Sequence, residues 1–104
     1  MKFEEFHNTV KETAQYGEHN RIVYPALGLA GETGEAVDIV KKALRYNDEG
    51  SYLSLSQGTK DRTEDMKLEL GDVLWYWCNL VHDLGFDPSE LFQMNYDKLR
   101  KRYG

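Results

Sequence analysis

The sequence predicts an all-α protein, an antiparallel bundle of about four helices that assembles into an oligomeric helical bundle. Three segments repeat apolar residues at helical spacing, and a fourth opens with residues typical of a helix start. A stretch rich in Gly, Ser and Asp, at about residues 47–61, lacks this periodicity. We interpret it as a loop inserted into a single domain that covers residues 1–104.

Composition and charge limit the classes of function. The 104 residues carry a formal net charge of -5, which disfavours binding to a nucleic acid polymer. The N-terminal residues contain no apolar signal core, and no apolar run is long enough to cross a membrane. Cys78 is the single cysteine, so an intrachain disulfide is excluded and we expect a cytoplasmic location.

The first two helices are predicted from their apolar stripes. The first should run from about Lys2 to Tyr16 with Phe3, Phe6 and Val10 on one face. The second should begin between Arg21 and Pro25, where a proline is tolerated in the first turn. We expect one stripe of the second helix to enter the core, with the acidic residues on the opposite side: Ala26, Leu29, Ala30, Val37, Val40 and Leu44.

Local capping signals predict where the last two helices begin. Asp61-Arg62-Thr63-Glu64 resembles a capping box, and the third helix should follow it to about Leu84. Gly85 suits the left-handed position after a helix end. Asp87-Pro88-Ser89-Glu90 combines a capping carboxylate with a proline at the first helical position, and so opens the fourth helix.

Two acidic pairs are the most informative feature of the sequence. Glu32 and Glu35 are three residues apart, as are Glu69 and Asp72, so each pair lies on one face of its helix. Four carboxylates that face each other repel unless they are protonated or neutralised by cations. Oxygen ligands suit Mg2+ or Mn2+ better than Zn2+. For either pair alone, a solvated face with ion pairs is the alternative interpretation.

Three glycines accompany the first acidic pair. Gly28, Gly31 and Gly34 should each cost a helix about 1 kcal/mol relative to alanine. A helix that carries all three is expected to need close backbone approach at those positions. Because helical side chains lean toward the N-terminus, the acidic residues should reach back over bare backbone and leave room for a flat ligand near Gly28.

These motifs resemble those of a known enzyme family. Glu32-x-x-Glu35 followed by Glu69-x-x-Asp72 resembles the MazG-like all-α nucleoside triphosphate pyrophosphohydrolases, in particular the short single-domain members. Asn95-x-x-Lys98 with Arg102 is similar to the family's C-terminal phosphate-contacting segment. The resemblance implies cleavage of a (d)NTP between the α and β phosphates to (d)NMP and pyrophosphate. It also implies Mg2+ as cofactor, with Mn2+ possible, and a homodimer or homotetramer.

The same resemblance assigns expected roles to individual residues. The expected metal ligands and catalytic residues are Glu32, Glu35, Glu69 and Asp72. The resemblance makes Asn95, Lys98 and Arg102 expected substrate-binding residues. His7, Gly28 and Tyr76 are added as expected substrate-binding residues because of their positions on the predicted helices. For His7 and Tyr76, a purely structural role is the alternative. Two other classes of protein remain open, a non-catalytic helical module that binds a nucleotide or a metal, and an interaction bundle with structural acids.

Overall fold

The computed structural model describes residues 1–45, 54–56 and 61–104, and these residues are almost entirely helical. The main helices are α1 (Phe3–Thr13), α2 (Val23–Arg45), α3 (Thr63–Asp83) and α4 (Pro88–Tyr103), with a short 3-10 turn at Glu18–Asn20. The prediction of an all-α fold with about four helices is confirmed. The predicted loop at about 47–61 lies outside the described residues, apart from residues 54–56 and 61.

The helix ends follow the predicted capping chemistry closely. The Asp87 carboxylate accepts a hydrogen bond from the backbone N–H of Ser89, and Pro88 occupies the first turn of α4. Gly85 has a φ of 76°, a conformation that side chains rarely adopt. At the start of α3, the Asp61 carboxylate accepts a hydrogen bond from the backbone N–H of Thr63, although the capping position itself is Arg62.

Helices α2 and α3 pack against each other in antiparallel order. The backbone N–H of Ile22 donates to the Asp83 carboxylate, whereas Glu35, further along α2, lies near Glu69 in the first half of α3. Helix α1 packs across α3, where Phe3 contacts Trp77 edge to face. The buried apolar core between these helices is made of small side chains: Val10, Ala36, Ala43, Cys78 and Val81.

The predicted orientation of α2 is wrong in one respect. The predicted core stripe is largely exposed, with 60% of Val37 and 58% of Leu44 accessible to solvent. The face that packs toward α3 instead carries Ala36 and Ala43, together with the half-buried Glu32. Amphipathic patterning assigns a polar face to solvent, but here the acidic face is opposite another acidic helix.

The glycines of α2 differ in their surroundings. A Cβ atom at Gly28 would overlap the ring of Tyr76, so the absence of a side chain lets Tyr76 lie directly on the backbone of α2. A Cβ at Gly31 or Gly34 would meet nothing within 4 Å in the described part of the chain. Close approach is therefore observed at Gly28, and its partner is a tyrosine of the same chain. The expectation of close backbone approach is wrong for Gly31 and Gly34 within one chain.

Helix α4 is attached to the other helices through its first turns. Phe92 stacks on Trp77 with ring centroids 6.1 Å apart, and it meets Phe3 edge to face. Every residue after Leu91 is exposed, and α4 contains no buried residue. Helices of the described ranges are too short or too polar to span a membrane.

Candidate metal centre

Three carboxylates converge between α2 and α3. One carboxylate oxygen each from Glu32, Glu35 and Glu69 lies within 4.8 Å of the others, a separation that a single metal ion can bridge. Glu32 and Glu69 are half-buried, and Glu35 is exposed. The antiparallel packing of the two helices produces this arrangement because it places the first acidic pair opposite the second.

Two of these three glutamates have a buried oxygen without a partner. Oε2 of Glu32 and Oε2 of Glu69 have no hydrogen-bond donor among the described residues. Leaving a buried carboxylate oxygen unsatisfied is costly, so native proteins normally supply a donor or a cation. These two oxygens are therefore suited to a cation that the protein would bind at this position.

The electrostatics of the cluster agree with this interpretation. Glu32 lies close enough to share a proton with Glu69 and raises the pKa of Glu69, and burial acts in the same direction. The charges of Glu32 and Asp72 raise the pKa of Glu69 further, while a hydrogen bond with Glu35 lowers this pKa. Like charges at short range disfavour ionisation, and a bound cation removes that penalty. The donor set is all oxygen, which fits a hard divalent ion such as Mg2+ or Mn2+.

Asp72 and Tyr76 extend the cluster along α3. Together with Glu32 and Trp75 they line a cavity of about 290 Å³. Asp72 itself is exposed and lies outside the group of three converging oxygens. The Tyr76 ring covers Gly28, and a hydrogen bond with the Tyr24 hydroxyl raises the pKa of Tyr76. Tyr76 thus forms one wall beside the carboxylates, and the space over Gly28 is filled by its ring.

A second cavity, of about 420 Å³, opens on the other side of the carboxylates. It is lined by Glu35, Asp38, Ile39, Lys42, Asp65, Leu68 and Glu69. Asp38 pairs with Lys41 at 2.9 Å and with Lys42 at 3.0 Å, and these contacts lower the pKa of Asp38. The two lysines therefore neutralise Asp38, and the other acidic residues of the lining are Glu35, Asp65 and Glu69.

His7 lies in a different part of the molecule. It is buried against α3 and contributes to a cavity of about 440 Å³ whose lining also includes Phe3, Lys11 and His82. His82 is ten positions beyond Asp72 on α3, which corresponds to about 15 Å along the helix axis. Burial lowers the pKa of His7, with smaller contributions from the charges of Lys11 and His82. The structure does not bring His7 to the carboxylates.

The predicted phosphate-contacting residues are also separate from the cluster within one chain. Asn95, Lys98 and Arg102 are exposed on α4, and none of them lines either cavity at the carboxylates. The Arg102 guanidinium lies over the ring of Tyr103, 5.6 Å from its centroid. For these residues to contact phosphates at the carboxylates, a second copy of the chain would have to bring its α4 to the cluster.

Sequence reasoning did not identify Asp83 as an organising residue. Its side chain, only 5% exposed, accepts hydrogen bonds from the Tyr16 hydroxyl at 2.7 Å and from the backbone N–H of Ile22 at 3.1 Å. It also pairs with Arg21 at 3.6 Å. Ile22 has a φ of 69°, a strained value for a β-branched residue. Asp83 thus holds the connection between α1 and α2 in place, and nothing in its sequence spacing distinguishes it from the acids near it.

Comparisons with known proteins agree with the geometry. A family model described as the MazG nucleotide pyrophosphohydrolase domain matches residues 25–104. The chain is 38% identical over 79 residues to the Gene 37 protein of Mycobacterium phage L5, a match that covers 76% of this chain and 63% of that protein. The chain therefore spans less than two thirds of the length of this relative. No solved structure matches at a significant level.

Proposed function

The chain belongs to the MazG nucleotide pyrophosphohydrolase family, and we propose that it cleaves nucleoside triphosphates between the α and β phosphates with Mg2+ or Mn2+ as cofactor. The observation that carries this proposal is the convergence of Glu32, Glu35 and Glu69, two of which have orphaned buried oxygens. In the reaction, a water oxygen bonds to the α phosphorus as the bond to the bridging oxygen breaks. Pyrophosphate leaves with that electron pair, and a base takes the proton of the water.

The burial of each carboxylate suggests its role. Glu32 and Glu69 point buried oxygens between the helices and would hold the ion, with Asp72 beside them. When bound, the ion supplies positive charge that stabilises the developing charge on the phosphate oxygens. Glu35 is the exposed member of the three, so its carboxylate has access to a solvent water and would accept the proton.

The substrate phosphates also need cationic partners. We assign Asn95, Lys98 and Arg102 to contacts with the β and γ phosphates, since guanidinium and ammonium groups form strong charge-assisted hydrogen bonds with them. These residues line neither cavity at the carboxylates of their own chain. In a homodimer or homotetramer they would reach the site of another copy. The substrates would be free nucleoside triphosphates of the cytoplasm, because the net charge of -5 disfavours a nucleic acid polymer.

Product analysis tests the proposed reaction. Purified protein with Mg2+ is incubated with a panel of nucleoside and deoxynucleoside triphosphates, and pyrophosphate and orthophosphate are measured separately. At least one triphosphate should yield pyrophosphate, and Glu35→Gln should lower kcat by about 100-fold or more, as expected for loss of a general base. Glu12→Gln, an exposed glutamate of α1, is the matched control.

Two results would contradict the proposal. Orthophosphate as the only phosphate product would indicate a different bond cleavage. Saturable nucleotide binding without turnover of any triphosphate would instead support a non-catalytic binding module.

A further inference from the structure

The cavity beside Asp72 has a neighbour with a different character. This fourth cavity, of about 410 Å³, is lined by Thr13, Gln15, Tyr16, Asn20, Tyr24 and Trp75. Trp75 lines both this cavity and the one that contains Glu32 and Asp72. The shared Trp75 therefore places the cavity at the connection between α1 and α2 next to the carboxylates.

The distance from the carboxylates to Trp75 suits one nucleoside unit. Glu69 and Trp75 are six positions apart on α3, which corresponds to about 9 Å along the helix axis. Asp72 lies between them in the sequence, and Tyr76 lines the same cavity as Asp72 and Trp75. A nucleotide whose α phosphate lies at the carboxylates would place its sugar beside Asp72 and Tyr76 and its base at Trp75.

The aromatic walls of the fourth cavity are held in fixed positions. The Trp75 indole N–H donates to the Thr13 hydroxyl at 2.9 Å, and the Tyr16 hydroxyl donates to Asp83. Tyr16 stacks on Tyr24 with ring centroids 4.9 Å apart. Tyr24 is still 44% exposed, so ring surface faces the cavity. Flat aromatic surfaces of this kind bind nucleobases by stacking.

Two amide side chains provide polar groups at the rim. Gln15 is exposed, and no hydrogen bond of its amide is found among the described residues. The Asn20 amide nitrogen donates to the backbone carbonyl of Tyr16 at 2.9 Å, which leaves its carbonyl oxygen as an acceptor. An amide combines donors with an acceptor and can therefore recognise the edge of a base.

We propose that this fourth cavity holds the base of the nucleotide whose phosphates lie at the carboxylates, and that Gln15 and Asn20 determine which base is preferred. The inference rests on the proposed function for the position of the phosphates. It adds the direction of the substrate along α3, with the base at Trp75, and names specificity-determining residues outside the acidic motifs.

The kinetic test uses Gln15→Ala, with Gln93→Ala as the matched control on α4. Gln15 is exposed and Gln93 bonds Asp97 on the surface, so both variants should fold like the parent. KM and kcat are measured for purine and pyrimidine triphosphates with Mg2+. Gln15→Ala should change the ratio of KM values between bases by about threefold to tenfold, as for one lost hydrogen bond, with kcat nearly unchanged. Unchanged ratios in Gln15→Ala, or equal changes in Gln93→Ala, would overturn the proposal.

A binding test distinguishes failure of this inference from failure of the proposed reaction. Tryptophan fluorescence is titrated with nucleoside monophosphates and, separately, with inorganic tripolyphosphate, in the presence of Mg2+. The monophosphates should quench the parent saturably and should quench Trp75→Phe far less, whereas tripolyphosphate should have little effect because it has no base. This result supports the base site even if no triphosphate is hydrolysed. Absence of quenching by every nucleotide, or equal quenching by tripolyphosphate, would overturn the inference without contradicting pyrophosphate release.

Discussion

At the scale of single residues, the contact between Glu32 and Glu69 links stability to pH and allows the proposed metal binding to be tested. Glu32 raises the pKa of Glu69 above its ordinary value of 4.5, so the folded chain keeps a proton that the unfolded chain releases. The stability of the metal-free protein should therefore fall as pH rises above that value. We expect the Tm in chelator to be lower at pH 7 than at pH 5. The decrease should be smaller in Glu32→Gln, because Glu69 then ionises beside a neutral amide.

The same variant tests whether Glu32 binds the metal. A ligand at about 100 times its Kd stabilises the native state by about 2.7 kcal/mol, so excess Mg2+ should raise the Tm of the parent. The Tm of Glu32→Gln should rise much less with Mg2+, and the surface control Glu12→Gln should behave like the parent. If parent and Glu32→Gln show equal rises in Tm with Mg2+, Glu32 is not a ligand.

His7 allows a second test at this scale. Burial lowers its pKa below the ordinary 6.5, so the contribution of His7 to stability should be lost as pH falls from about 6.5 through the folded pKa. Its Nδ1 atom is buried without a partner, and its ring stacks on Phe3. His7→Phe keeps the stacking and removes both the orphaned atom and the titration. At pH 7.5 we expect unchanged stability or a gain of up to about 1 kcal/mol.

Urea unfolding of His7→Phe and the parent at pH 7.5 and 5.5 checks this expectation. The stability of the variant relative to that of the parent should be greater at pH 5.5 than at pH 7.5, because His7 titrates only in the parent. Turnover of triphosphates separates the structural role from the predicted substrate contact. Full activity in His7→Phe supports a structural role, and a rise in KM would support contact with substrate.

At the scale of elements, local chemistry explains which predictions from sequence were accurate. The start of α4 depends on Asp87 and Pro88, which act on neighbouring backbone, so it is predicted correctly. The inward face of α2 depends on what lies opposite it, and Glu32 faces α3 while Val37 faces solvent. The acidic spacing identified the cluster because helix geometry fixes which residues share a face. Hydropathy missed the orientation because the converging carboxylates of two facing helices depart from the usual preference for buried apolar side chains.

The glycines of α2 give an element-scale prediction. Gly28→Ala places a methyl group where the Tyr76 ring lies, so the tyrosine must move. Overpacking of this kind costs about 1–3 kcal/mol, enough to exceed the helix propensity gained. Gly31→Ala, one turn later in open space, should stabilise the protein by about 1 kcal/mol. Denaturant unfolding of both variants measures the difference, and equal effects would contradict the packing of Tyr76 on Gly28.

At the scale of the whole molecule, the single chain is extended and sparsely cored. Its radius of gyration is 17.0 Å, whereas a compact domain of this size has about 13 Å. The exposed outer side of α2 carries large apolar residues such as Leu27 and Val37. Four more exposed apolar residues repeat at heptad spacing along α4. They form a stripe that is typical of a helix packed on another helix: Phe92, Tyr96, Leu99 and Tyr103. These surfaces favour the predicted homo-oligomer.

A charge on the α4 stripe tests this assembly. Leu99 is 47% exposed in one chain, so Leu99→Glu should cost the isolated chain little. If an oligomer buries the stripe, Leu99→Glu should lower the mass measured by light scattering and reduce Tm. Lys101→Glu adds negative charge on the opposite side of the helix and should leave the mass unchanged. A parent that is monomeric at micromolar concentration, or equal effects of both variants, would contradict the prediction.

Mixing of inactive variants tests whether α4 completes the site of another copy. Glu35→Gln removes a carboxylate and Arg102→Ala removes a phosphate contact, so each homo-oligomer should be nearly inactive. If α4 acts across a two-fold interface, each mixed dimer contains one site with both native residues. Random mixing of equal amounts should then restore roughly a quarter of the parent activity.

The control for this experiment mixes Glu35→Gln with Glu69→Gln. These two carboxylates converge within one chain, so no mixed dimer of these variants has an intact cluster and no activity should return. Subunits must be exchanged by unfolding and refolding the mixture, and each variant must be treated alone in the same way. If α4 served its own chain, every site of the first mixture would lack one of the two residues. If mixed oligomers form but that mixture regains no activity, Arg102 does not contact the phosphates at the site of another copy. It then either contacts them within its own chain or does not contact them.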